Sequence, residues 1–104
     1  MHPFRSQLKH LGSLRGRGML MDQTGGQSFG TVDYEIDGYL DQATRSGNGR
    51  IAGGETMLRR AFRAGQARIA LADGQIVDIV LDDPLDDTVV EITVGGRLPE
   101  FGRS

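Results

Sequence analysis

Two groups of charged side chains in this sequence are spaced so that each must act as a set. Asp33, Glu35 and Asp37 alternate with apolar residues in FGTVDYEIDGYLD, and Arg59, Arg60 and Arg63 recur within TMLRRAFRAG. Paired carboxylates do acid–base work when burial splits their pKa values. Alternation along a strand instead lays all three on one solvated, acidic face, opposite Val32, Tyr34 and Ile36. Guanidinium groups bind carboxylate or phosphate through planar, two-point contacts. Together the six residues form the candidate interaction surface. An acidic strand face and a basic helix face can meet an unidentified protein partner, or each other in a homodimer.

The remaining chemistry is sparse. The chain has no Cys, which excludes disulfides, thiolate zinc sites, iron–sulfur clusters and thiol nucleophiles. His2 and His10 are the only histidines, and both precede the expected fold body. Two imidazoles begin a zinc site only with a carboxylate as third ligand, and no Ser-His-Asp arrangement can be built from residues so placed. Gly47-Asn48-Gly49-Arg50-Ile51-Ala52 matches G-x-G-x-x-A, but no parallel sheet follows and the next helix starts late, so a Gly-rich turn explains it. The acidic run Asp82-Asp83-Pro84-Leu85-Asp86-Asp87 lacks the spacing and central Gly of a calcium loop and reads as a solvated turn. No catalytic residue, cofactor or metal site is expected, and the chain reads as a non-enzyme.

The elements that must carry these side chains follow from periodicity. Residues 1–12 are an N-terminal arm or short helix, with Phe4, Leu8 and Leu11 at i, i+4, i+7. SLRGRGMLM (13–21) reads as a strand in which Gly16 and Gly18 mark a bulge, a bend or a close backbone approach. Residues 29–41 form the clearest strand, with Gly38 interrupting its apolar row where the sheet bends. Residues 42–50 are a turn-rich connection, followed by a short strand around Ile51. The period then changes: Leu58, Ala61 and Phe62 share one side of a two-turn helix at about 57–64, with Thr56 as N-cap and Gly65 beyond its end.

Residues 66–82 form a hairpin about Asp73-Gly74. A two-residue loop would mix faces. A three-residue loop, Ala72-Asp73-Gly74, sets Ile69 opposite Val77, Ala67 opposite Ile79 and Arg68 opposite Asp78, with Gly74 in the left-handed region. After a loop at 83–87, residues 88–94 are the last strand. The expected fold is mainly β: a six-stranded antiparallel meander forming a small barrel or sandwich, with one short helix packed on it. The single β domain spans 13–98, and 99–104 is an irregular tail. The expected core is Leu20, Val32, Tyr34, Ile36, Leu40, Ile51, Leu58, Phe62, Ile69, Leu71, Val77, Ile79, Leu81, Val90, Ile92 and Val94.

Composition narrows the class without naming a function. The 104 residues suit one domain, and only 6% are aromatic, so the core is thin. Net charge is −2, but residues 1–68 hold ten Lys+Arg against six Asp+Glu, and 69–104 hold two against eight. Strands of a small sheet interleave, which dilutes this asymmetry in space. Eleven Arg to one Lys is the bias of a GC-rich, bacterial-like genome. No apolar run reaches the ~20 residues of a membrane helix, and no signal-peptide stretch opens the chain, so no membrane association is expected and the expected location is cytoplasmic. The function expected is a small protein-interaction module, self-associating through its oppositely charged surfaces. The alternatives are a small-ligand-binding β-barrel, or a weak single-stranded nucleic-acid binder using the Arg-bearing helix. A pI of about 5.6 argues against nucleic acid, as does a single expected outward aromatic, Tyr39, between the acidic Asp37 and Asp41.

Overall fold

The computed structural model describes residues 8–101. Six antiparallel strands, β1 (Leu8–Met21), β2 (Ser28–Asp41), β3 (Thr44–Ala52), β4 (Gln66–Ala70), β5 (Ile76–Asp86) and β6 (Val89–Val94), close into a barrel, and one helix, α1 (Glu55–Ala64), lies between β3 and β4. The order around the barrel is β1-β2-β3-β6-β5-β4. The sheet is therefore two three-stranded meanders joined by α1 rather than one continuous six-stranded meander. The helix packs against β2, β4, β5 and β6 with Leu58 and Ala61 inward, so it bridges the two halves. Among the described residues no helix is long and apolar enough to cross a membrane, which says nothing about crossing by strands.

The alternation of apolar and polar residues sets the registers. Tyr34 faces Ile51, and Ile51 faces Val90; Leu81 faces Ile92 across the second meander. In the β4–β5 hairpin Ile69 pairs with Val77, Ala67 with Ile79, and Arg68 with Asp78, as the three-residue loop requires. Gly74 has φ +96° and its N–H donates to the Leu71 carbonyl, while Arg68 Nε meets Asp78 Oδ1 at 2.8 Å. The apolar face of these pairs forms one cluster that adds Ala61 and Ala67 to the expected core.

Several boundaries differ from expectation, for one main reason. β1 starts at Leu8, so residues 8–12 are strand rather than arm or helix; Phe4 and residues 1–7 lie outside the described residues. β3 starts at Thr44, so most of the expected turn-rich connection is strand, and the actual turn is Gln42-Ala43, with Gln42 at φ +58°. In both strands glycine takes the inward place of the period-two pattern. Gly12, Gly16 and Gly18 alternate with Ser13, Arg15 and Arg17, and Gly47 and Gly49 alternate with Ser46, Asn48 and Arg50. β5 runs on to Asp86 through two register irregularities, where a loop at 83–87 was expected.

The helix begins at Glu55, with Gly54 rather than Thr56 at the cap position, and Gly65 (φ +84°) ends it by donating to the Ala61 and Phe62 carbonyls. Phe62 is 37% exposed, because the buried stripe runs through Met57, Leu58 and Ala61 and leaves Phe62 at its rim. Leu40 and Val94 are only partly buried, since both lie at or beyond the barrel's mouth. The tail from Gly95 to Phe101 has no regular structure but is packed. Leu98 lies on Gly47, and the Phe101 ring lies on Gly12 and Gly38. These three glycines are cross-strand neighbours, so they form one bare row across β1, β2 and β3.

The bare position at Gly18 is the tightest point of the β1–β4 seam. A Cβ there would sit 2.3 Å from the Ala70 carbonyl oxygen, a backbone atom that cannot swing aside. Gly18→Ala is therefore expected to destabilise the fold by about 2–3 kcal/mol, in the range of overpacking substitutions. Gly95→Ala, which meets only ordinary contacts with Val80 and Asp78, should stay within about 0.5 kcal/mol. Urea unfolding of the two variants checks the contrast, and equal midpoints would refute the close-approach account.

Candidate functional site

The outward residues of β1, β2, β3 and β6 form ordered cross-strand rows. The central row is Arg15, Glu35, Arg50 and Glu91, alternating in sign over four strands. Arg15 Nη2 lies 2.7 Å from Glu35 Oε2, and Arg50 Nε lies 3.3 Å from Glu35 Oε1. In the next row Arg17 Nε meets Asp33 Oδ1 at 3.2 Å. The three carboxylates singled out in β2 therefore do lie on one face, and each has a cationic or hydrogen-bonding partner from a neighbouring strand. Such exposed pairs contribute roughly 0.2–1 kcal/mol each, so their main effect is on register and surface potential.

The Arg triplet of α1 lies elsewhere, on the solvent side of the helix, and the structure does not bring it together with Asp33, Glu35 and Asp37. Arg59 Nη2 is held 2.5 Å from Glu55 Oε2 one turn away. The Arg60 guanidinium sits 5.7 Å above the Phe29 ring. Arg63 has no ion-pair partner among the described residues. Beside the helix, a groove of about 240 Å³ is lined by Leu58, Phe62, Pro84 and Val90, with Glu55, Arg59, Asp86 and Asp87 at its rim.

A cluster that the sequence hid by separation is His10, Ser13 and Asp37. The Ser13 hydroxyl donates to Asp37 Oδ1, and His10 Nε2 lies 3.1 Å from that same oxygen and 3.3 Å from Ser13 Oγ. Tyr39 stacks at a tilt on His10, 5.4 Å between centroids. The three residue types match a hydrolytic triad, but the connections do not. A relay needs the hydroxyl to donate to the imidazole and the second ring nitrogen to face the carboxylate. Here the hydroxyl donates directly to the carboxylate, and a single ring nitrogen faces both. The Ser13 hydroxyl, followed by His10, holds the Asp37 carboxyl below its ordinary value.

The edge of this face is the larger structural fact. β1 pairs with β2 along its whole length, but with β4 only through Met19, Leu20 and Met21. The pair of Met19 with Ala70 is at the end of β4, where the chain enters the hairpin turn. From the inside, Tyr34 reaches under Gly16 and its hydroxyl accepts the Ala72 N–H at 3.0 Å. Farther out, the tail is tied to the hairpin turn, with Glu100 N–H donating to Gln75 Oε1 (2.7 Å) and Gln75 Nε2 to the Glu100 carbonyl (3.1 Å). These contacts occupy the inner face. Along Lys9–Arg15 the outer edge of β1 has no neighbouring strand among the described residues.

Other sequence features resolve into packing. The Gly47 and Gly49 positions of the G-x-G-x-x-A run face Leu98, Val94 and the Glu35 carbonyl. Asp86 accepts hydrogen bonds from the Thr88 N–H and hydroxyl, and Asp82 from the Thr93 hydroxyl at 2.5 Å. Among the described residues no group of three or more His, Asp or Glu is arranged to hold a metal ion. In comparisons with known proteins, no family model, no curated protein and no solved structure matches this chain.

The Asp37 contacts set an acid limb of stability. Because its folded pKa is lowered from 3.8, the Asp37 contribution is fully present above that value and is lost as pH falls below it. Ser13→Ala is expected to move the Asp37 titration midpoint, followed by carboxyl-carbon NMR, upward toward the ordinary value. An unchanged midpoint would show that the hydroxyl is not its main partner.

Proposed function

We propose that this chain is a small, non-catalytic protein-interaction module that captures an extended segment of a partner protein along the open edge of β1. The observation that carries this reading is that β1 outruns β4, which ends at Ala70 opposite Met19, so that among the described residues Lys9–Arg15 is bordered by a strand on one side only. A strand edge presents alternating unpaired N–H and C=O groups, and main-chain hydrogen bonds to them supply affinity for an added strand. The outer end of β5 gives the contrast. Beyond Leu81 it carries two register irregularities, Pro84 and three aspartates, which are devices that blunt an edge against pairing. The corresponding stretch of β1 has one irregularity at Leu11 and no Pro.

A foreign strand is favoured over a second copy of the chain. The ionisable side chains of β1 are Lys9, His10, Arg15 and Arg17, with no carboxylate among them, so two β1 edges would set like charges together. The β2 carboxylates that would have received the Arg-bearing helix of another copy already face Arg15, Arg17, Arg50 and His10. The ligand-carrier reading draws no support from an interior packed with fifteen buried apolar side chains. The nucleic-acid reading draws none from a helix whose Arg59 is paired with Glu55 and whose Arg60 lies over Phe29.

The test uses the full chain, labelled for NMR, and a capped seven-residue peptide alternating Val and Thr. Saturable shifts confined to Lys9–Arg15 are expected. They should be abolished when the alternate peptide amides that face β1 are N-methylated. Shifts centred on the Phe62 groove, or equal binding of the methylated peptide, would overturn the reading.

A further inference from the structure

The charged row across the sheet ends on Arg15, at the open edge. Its order is Arg15, Glu35, Arg50, Glu91, so each strand answers the sign of its neighbour. The next strand in such a row would place a carboxylate beside Arg15. The Arg15 side chain is 74% exposed although one of its nitrogens lies 2.7 Å from Glu35. A guanidinium has five donors in a planar fork, so a second carboxylate on the far side need not displace the first. Arg17, two residues along on the same face, is 73% exposed and adds to the positive potential there. The row below is Ser13, Asp37, Asn48 and Thr93, in which Asp37 is already answered by Ser13 and His10. A second acid opposite Ser13 would meet Asp37 with like charge, whereas a hydroxyl or amide there would not.

β1 already accepts one strand of this kind. On its paired side, β2 presents Asp33, Glu35 and Asp37 to Arg17, Arg15 and Ser13, with Tyr34 and Ile36 between them on the inner face. From this juxtaposition we infer that the partner segment docking on β1 is acidic: a short extended stretch with an Asp or Glu facing Arg15, a polar uncharged residue facing Ser13, and apolar residues at the alternate positions. This inference rests on the edge-pairing reading above and names its partner chemistry.

Three capped peptides of the form Val-Thr-Val-X-Val-Thr-Val, with X as Glu, Gln or Lys, are titrated into the full chain at low salt. Binding of the Glu peptide is expected to be about threefold to fivefold tighter than that of the Gln peptide, the upper part of the range for one exposed ion pair, and the Lys peptide should be the weakest. The Glu preference should vanish at high salt, where exposed pairs are screened. It should also vanish in Arg15→Gln but persist in Arg50→Gln, which alters the same row two strands from the edge. Equal binding of the Glu and Gln peptides, or a Glu preference that survives Arg15→Gln, overturns the acidic assignment and leaves edge pairing standing. No binding of any of the three overturns both. If Arg15→Gln does not fold, the order of the three peptides on the native chain and its salt dependence decide the matter.

Discussion

The architecture depends on how closely two backbones approach at Gly18. A side chain there would collide with the Ala70 carbonyl, so only glycine lets β1 lie this close to β4. This seam closes the barrel through three residue pairs, the last of them at the end of β4. β4 ends at Ala70, the partner of Met19, and the hairpin turn follows, so the residues of β1 before Met19 have no further β4 residue to pair with. A 14-residue strand extends roughly 45 Å at ~3.3 Å per residue, which accounts for most of the 50 Å long axis of a body only 28 × 21 Å across. The part of β1 before this seam, with the end of β2 and the start of β3, extends past the end of β4.

What fills the space under the projecting strands is the chain's own end. Gly12, Gly38 and Gly47 lie side by side, and Phe101 and Leu98 occupy the room that three Cβ atoms would take. The inner face is covered in this way, and the outer face is covered by ions of alternating sign. The inner cover is apolar and the outer is a lattice of weak, exposed pairs. The feature without a neighbouring strand among the described residues is the edge between them. This is why the functional reading rests on the main chain of β1 and not on a pocket or a polar cluster.

The sequence made much of this legible where side chains alternate. Val32, Tyr34 and Ile36 against Asp33, Glu35 and Asp37 located β2 and its two faces. In the β4–β5 hairpin, opposing charges on Arg68 and Asp78 and apolar pairing of Ile69 with Val77 decided the loop length. Legibility failed where glycine replaced the inward side chain. In β1 and β3 the polar half of the pattern is present, but its apolar half is bare, because the partners of those positions, Phe101, Leu98, Tyr34 and backbone carbonyls, come from distant parts of the chain. The His10, Ser13 and Asp37 cluster was hidden for the same reason: its members meet only once the β1–β2 register is known. Phe62 sits at the rim of the helix's apolar stripe, which is centred on Leu58 and Ala61, so its place in the period does not distinguish it from a core residue.

The claim that β1 presents an unpaired edge is tested most directly by amide hydrogen exchange, residue by residue, on the free protein. In an antiparallel pair, amides that point into the ladder are protected and those that point away are open to solvent. From Lys9 to Arg15 the account predicts protection that alternates between neighbouring residues, giving way to continuous protection at Leu20 and Met21, where β4 closes the other side. Uniform protection from Lys9 through Arg15 would mean that the edge is already occupied, and would contradict the account.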